Sequence, residues 1–188
     1  MADREIWLVR HGQTEWSESG KHTSRTDLPL LEKGRARAQE IGSLLSSQRF
    51  SLVLCSPLLR ARETCELAGF GEQAVICDDL REWEYGEYEG ITTPDIRRDH
   101  PDWNLWRDGS PGGERPEQVG ERADRVLERL RDAGGNAMAF AHGHILRVIT
   151  ARWLGFDVAA GARFALAAGG VGVLGWERET EVLRRWSV

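Results

Sequence analysis

The chain has 188 residues, 40% of them apolar and 29% charged, with a formal net charge of −5. Such a length suits one globular domain over residues 1–188, able to bury about 70% of the surface of its unfolded chain. The negative balance excludes a general attraction to nucleic acid or to anionic membranes, so an anionic ligand would need a local basic pocket.

The apolar run Ile6-Trp-Leu-Val9 predicts a short buried strand over residues 5–9, which ends abruptly on Arg10-His11-Gly12. Leu31, Ala38, Ile41, Leu44 and Leu45 recur at helical spacing over 31–46. Residues 51–55 predict a second strand, and Pro57 then opens a helix to about Leu67, because proline suits a first helical turn. Val75 and Ile76 mark a short third strand.

Residues 80–115 carry Trp83, Trp103, Trp106, Pro94, Pro101 and the turn Gly109-Ser-Pro-Gly-Gly113. This irregular stretch predicts a cap, from about 83 to 115, over a site. The tryptophans are expected to form a small satellite core that holds it closed. Val119, Ala123, Val126, Leu127 and Leu130 define one face of a helix over 116–132. A strand at 137–141 runs into His142-Gly143-His144 and a helix at 144–154. The tail, 162–188, alternates apolar and polar residues around glycines and predicts edge strands in a hairpin. Strands alternating with helices give an α/β class with a mostly parallel sheet.

Cys55, Cys65 and Cys77 are odd in number and match no zinc or CxxC spacing, which reads as reduced thiols. No apolar signal core opens the chain, and no run approaches 18 apolar residues. The expectation is a soluble, cytoplasmic protein with no membrane partner.

Parallel sheets bind ligands beyond the carboxyl ends of their strands. Arg10-His11, Ser56-Pro57 and His142 all stand at such ends, with Arg60 one helical turn further on. Two arginines suit the oxygens of a phosphoryl group, each charge-assisted bond contributing roughly 1.5–3 kcal/mol. A neutral imidazole at His11 could attack phosphorus, and the neighbouring arginines should keep it neutral. His142 could donate to the same phosphoryl group. Gly12 and Gly143 would let the backbone come close to it. Glu82, Glu84, Glu87 and Glu89 crowd one segment. Crowding beside a phosphate dianion should raise carboxyl pKa values, so that one of the four holds the leaving-group proton. His142-x-His144 alone supplies too few ligands for zinc. No metal and no cofactor is therefore expected, and His144 could simply cap the helix that follows.

Four motifs together resemble the histidine phosphatase superfamily, in its phosphoglycerate-mutase-like branch. They are Leu8-Val-Arg-His-Gly-Gln-Thr-Glu-Trp16, Ser56-Pro-Leu-Leu-Arg-Ala-Arg-Glu-Thr64, Leu80-x-Glu82-x-x-x-Gly86-x-x-x-Gly90 and Ala141-His-Gly-His-Ile-Leu-Arg147. The resemblance covers nearly the whole chain. It implies a three-layer sandwich with helices on both faces of the sheet. His11 would be the phosphorylated nucleophile, Glu82 the general acid and base, and Arg10, Arg60 and His142 the phosphate pocket. Ser17, Thr23 and Ser24 would touch substrate or phosphate, while Tyr85, Gly143 and His144 would line the pocket.

Mutases of the branch usually carry asparagine where Ser17 stands, Gly-Trp in place of Ser24-Arg25, and a Gly-Leu-Asn-Lys run where this chain reads Gly90-Ile-Thr-Thr. The match is instead with its small phosphatases, of the acid phosphatase and sedoheptulose-bisphosphatase kind. Arg115 departs from them, standing where serine is usual. The implied activity is hydrolysis of phosphorylated small metabolites, plausibly sugar phosphates. The alternatives are mutase-type phosphoryl transfer and a non-catalytic phosphate-binding scaffold, and a homodimer is left open.

Overall fold

A computed structural model describes residues 4–187. Its six-stranded sheet has the order β3-β2-β4-β1-β5-β6. The strands are β1 (Glu5–Arg10), β2 (Leu52–Cys55), β3 (Ala74–Ile76), β4 (Ala137–Ala141), β5 (Val171–Glu177) and β6 (Thr180–Trp186). The first four run parallel, β5 pairs antiparallel with β1, and β6 with β5.

Central parallel strands are covered on both faces and therefore read as unbroken apolar runs. Ile6 to Val9 and all five residues of β4 are buried accordingly. Side chains alternate between the faces. Ile6 and Leu8 pack with α6 (Pro116–Arg131) and α7 (Gly143–Trp153), whereas Trp7 and Val9 pack with α2 (Glu32–Leu45) and α3 (Leu59–Leu67). The result is the expected three-layer α/β sandwich.

Four features differ from the sequence expectation. A short helix, α1 (Glu15–Ser19), follows β1, closed by reciprocal bonds between Thr14 and Ser17. The helix expected from Pro57 starts at Leu59, because the Ser56 N–H still extends the sheet by donating to the Phe140 carbonyl at 2.9 Å. Asp27, from a distant loop, then accepts from the Leu59 N–H at 2.7 Å. The tail does form a hairpin, but β5 is an interior strand between β1 and β6, with Val171, Val173 and Leu174 buried. Finally, Trp83 and Trp103 belong to the same apolar cluster as α6 and α7, with Trp106 packed against it, and make no separate satellite.

The cap consists of short turns with α4 (Thr93–Asp99) and α5 (Leu105–Asp108). Its tryptophans are tied by their indole N–H groups, Trp83 to the Glu114 carbonyl and Trp103 to the Gly109 carbonyl, both at 2.9 Å.

Candidate active site

Strand register assembles the rim. Arg10 lies opposite Ala141 in the β1–β4 pairing, and the His11 N–H continues the ladder to the Ala141 carbonyl at 3.0 Å. The residues after both strands must then be neighbours. The His11 and His142 rings lie 5.2 Å apart, centroid to centroid.

His11 is 5% exposed. Its Nδ1–H donates to the Gly12 carbonyl at 2.7 Å, since a carbonyl can only accept. In the neutral ring the lone pair therefore sits on Nε2. Burial, and after it the charges of Arg60 and Arg10, hold its pKa well below the usual 6.5. The expected influence of the arginines is present, with burial as the larger cause.

His142 is wholly buried and occupied at both nitrogens. Arg60 Nε donates to Nδ1 at 3.1 Å, and Nε2 is 2.7 Å from the Ser56 hydroxyl. A guanidinium has only donors, so Nδ1 must accept and the ring proton of the neutral form sits on Nε2, facing Ser56. As placed, His142 therefore orients Arg60 and has no free donor for a phosphoryl group, contrary to the sequence expectation. Arg60 is equally committed. Its Nη1 donates to Thr26 O at 3.1 Å, and its Nη2 to Thr23 O and Ser24 O at 3.1 and 3.3 Å. It clamps the 23–26 loop against the rim.

Arg10 is freer. Nη1 donates to the Leu166 carbonyl, while Nε is buried without a hydrogen-bond partner. Gly143 makes room for this side chain: a Cβ there would stand 3.1 Å from Arg10 Cζ. Gly12 serves a different purpose from the one expected. A Cβ on it would meet the Gly34 carbonyl oxygen at 2.4 Å, so it admits the backbone of α2 and not a ligand.

Glu82 bridges the cap and the sheet. Its Oε1 accepts from the Trp83 and Ile145 N–H groups, both at 2.9 Å, and Oε2 from the His144 N–H at 3.0 Å. It thus caps the N-terminus of α7, the role that sequence suggested for His144. Burial alone would raise its pKa. The bonds and charge of His144, with the charge of His142, outweigh that and hold it well below the usual carboxylate range. The expected crowding that would raise it is absent. Glu84 pairs with Arg25, Glu87 is exposed, and Glu89 accepts from the Ser24 hydroxyl and from the Ser24 and Thr26 N–H groups.

A cavity of about 260 Å³ opens on Arg10, His11, Glu82, Tyr85 and His144, with Ser17 and Thr23 on its wall. Arg60, His142, Gly143 and Ser24 lie outside its lining. Ser17 spends its hydroxyl on Thr14, and Ser24 on Glu89. Arg115 is exposed and outside the cavity lining. Thr14, Trp16, Lys21 and Thr93 complete the wall. They were not anticipated, because the 14–23 loop is positioned by long-range pairing. The His22 N–H donates to Ile91 O at 3.0 Å, and Lys21 and Thr92 form a β-bridge. His22 also lines the cavity, its ring 4.6 Å from that of Tyr85, and its pKa is lowered to about 4 by burial and then by the charge of His144. Among the described residues, no group of three His, Cys, Asp or Glu side chains is placed to hold a metal ion, and no helix is long and apolar enough to cross a membrane.

Residues 6–188 match the histidine phosphatase superfamily (branch 1). The chain belongs to this superfamily. It is 39% identical over 176 residues to an acid phosphatase of Mycobacterium tuberculosis, covering 92% of this chain and 86% of that one. It is also 39% identical over 184 residues to sedoheptulose 1,7-bisphosphatase of Saccharomyces cerevisiae, covering 80% and 68%. A solved structure of an open reading frame product of Mycobacterium tuberculosis superposes with a TM-score of 0.94 at 36% identity, covering 100% of this chain and 98% of that one. With such relatives, the chain is a phosphatase of the histidine phosphatase superfamily. The resemblance drawn from the four motifs and the fold class that it implied both stand.

Proposed function

We propose that this histidine phosphatase hydrolyses phosphate monoesters of small metabolites, sugar phosphates among them, through a phosphohistidine on His11. The observation that carries the proposal is the bond from His11 Nδ1 to the Gly12 carbonyl, made by a ring that lines one cavity with Arg10 and Glu82. It leaves Nε2 as the nucleophilic atom, and burial keeps that atom unprotonated.

Arg10, with its unpartnered Nε, is suited to neutralise the phosphoryl oxygens. Nε2 attacks phosphorus, the P–O bond breaks, and the ester oxygen leaves with a proton from Glu82, whose carboxyl pKa a bound phosphoryl dianion raises. Water then attacks the phosphohistidine, and Glu82, held as a carboxylate by three N–H groups, takes the proton from that water. The sedoheptulose 1,7-bisphosphatase among the relatives favours a sugar phosphate as substrate. The side chains named here carry the charge, so no metal is required.

The test is turnover of an aryl phosphate in excess chelator, with the His11→Ala variant alongside. Wild-type activity should persist in chelator. The variant should lose at least about 10⁴-fold in kcat. A metal requirement, or turnover that survives the substitution, refutes the mechanism.

A further inference from the structure

On the mechanism above, Arg10 meets the scissile phosphoryl group, and the same cavity carries a second cation. Lys21 lines its wall beside Trp16, Gly20 and Thr93. His11 and Glu82 are buried, at 5% and 7% exposure, whereas Gly20 and Lys21 are exposed. The reacting groups therefore form the floor and Lys21 stands at the mouth. At about 260 Å³ the cavity is small beside ligand pockets of roughly 300–1,000 Å³. A molecule that reaches His11 with one end brings its other end towards Lys21.

The backbone of Lys21 is fixed on two sides. Gly20, at a φ of 72°, ends α1, and its N–H and that of Lys21 both donate to the Trp16 carbonyl, the latter at 3.0 Å. The bridge from Lys21 to Thr92 then ties the loop to the cap, as do the His22 N–H to Ile91 O at 3.0 Å and the Gly90 N–H to His22 O at 2.8 Å. Trp16 is seated against the same cap, since a Cβ on Gly90 would stand 2.9 Å from its Cη2. The Lys21 ammonium lies over this ring, 5.5 Å from its centroid. Carboxylates of the adjoining segments are committed elsewhere. Glu18 pairs with Lys33, Asp95 with Arg98, and Glu89 holds Ser24 and Thr26. Among the described residues, no carboxylate pairs with Lys21. Its ammonium is a compact charge with three donors, suited to any small anion.

We propose that Lys21 is a specificity-determining residue that binds a second anionic group of the substrate, a phosphate or a carboxylate, while the scissile phosphoryl group sits on Arg10 and His11. The inference rests on the reading of this cavity as the place of phosphate monoester hydrolysis. The contact is remote from the breaking bond and alike in ground and transition states, so it acts on KM more than on kcat.

Two matched pairs of esters test this: glycerol 3-phosphate against 3-phosphoglycerate, and fructose 6-phosphate against fructose 1,6-bisphosphate. Each compound is also titrated as a competitor of p-nitrophenyl phosphate, so that one turned over slowly still reports its affinity. The wild-type enzyme should favour the member with the extra anion in at least one pair, and that pair identifies the second group as carboxylate or phosphate. Lys21→Gln should lower kcat/KM for that member about tenfold more than for its partner, mainly through KM, the effect expected for one charge-assisted bond at an exposed site. Lys21→Arg should keep the preference and Lys21→Glu should reverse it. Equal losses on both members, or a wild-type enzyme that treats the members of both pairs alike, would overturn the assignment. Failure of the underlying mechanism shows separately, because turnover that survives His11→Ala refutes it whatever the pair ratios.

Discussion

Arg10 ends β1 and Arg60 follows the end of β2, two strands separated by β4, yet the two arginines are held in opposite ways. Arg60 gives its guanidinium to three backbone carbonyls and His142, and is wholly buried. Arg10 bonds one carbonyl, keeps an unpartnered Nε and lines the cavity. On the proposed mechanism, the difference divides the site into a supporting layer of Ser56, Arg60 and His142 and a layer of Arg10, His11 and Glu82 that faces the cavity. Residue type alone does not separate the layers. The number of protein partners does.

Methionine at each arginine is the sharpest way to break that division. Arg10→Met should cost the most activity, about 10²–10³-fold in kcat/KM, because it removes charge next to the phosphoryl group. Only one carbonyl loses its partner, so the midpoint of urea unfolding should shift little. Arg60→Met should reverse the balance. It strands buried carbonyls and the His142 Nδ1, and should destabilise by at least about 2 kcal/mol. Equal stability losses in the two variants would erase the distinction.

The loop that Arg60 clamps is held from the other side by Glu89, through Ser24 and Thr26. Glu89→Gln keeps the shape but weakens charge-assisted bonds. We expect a loss of about 1 kcal/mol, with KM raised a few-fold and kcat nearly unchanged. A fall in kcat alone would place Glu89 in the chemistry.

Protonation sharpens the comparison further. His11, His142 and His22 have folded pKa values below the ordinary 6.5, the last at about 4. Between the folded and unfolded values the unfolded chain binds more protons, so stability must fall as pH drops below about 6.5. Each such histidine contributes at most about 1.4 kcal/mol per pH unit. Melting temperatures from pH 7 to 4 should show this decline. His22→Gln should flatten it over the range from about 6.5 to 4.

Much of the scaffold could be read from the chain because its causes are local. The apolar runs before Arg10 and His142 are covered on both faces, and parallel register then brings the two histidines together. What escaped depends on partners far along the chain. Gly12 faces Gly34, and Asp27 caps α3. Glu82 meets the N–H groups of residues 144 and 145, more than 60 positions away, so an acidic cluster gives no sign of which member is pinned. The Ser17 and Ser24 hydroxyls point at protein acceptors, a choice that composition cannot reveal. β5 alternates like an edge strand, yet β6 covers its outer side.

The seat of Glu82 has one consequence for how the protein can vary. In the proposed mechanism its carboxylate is at once a reagent and the lid on the first turn of α7, so chemistry and architecture draw on the same two oxygens. Aspartate, one methylene shorter, could not reach both the amides and the incoming water. Tinkering with catalysis at this position therefore reaches into the skeleton, and the tolerant places for new specificity are wall residues such as Trp16, Lys21 and Thr23, whose side chains cap no helix.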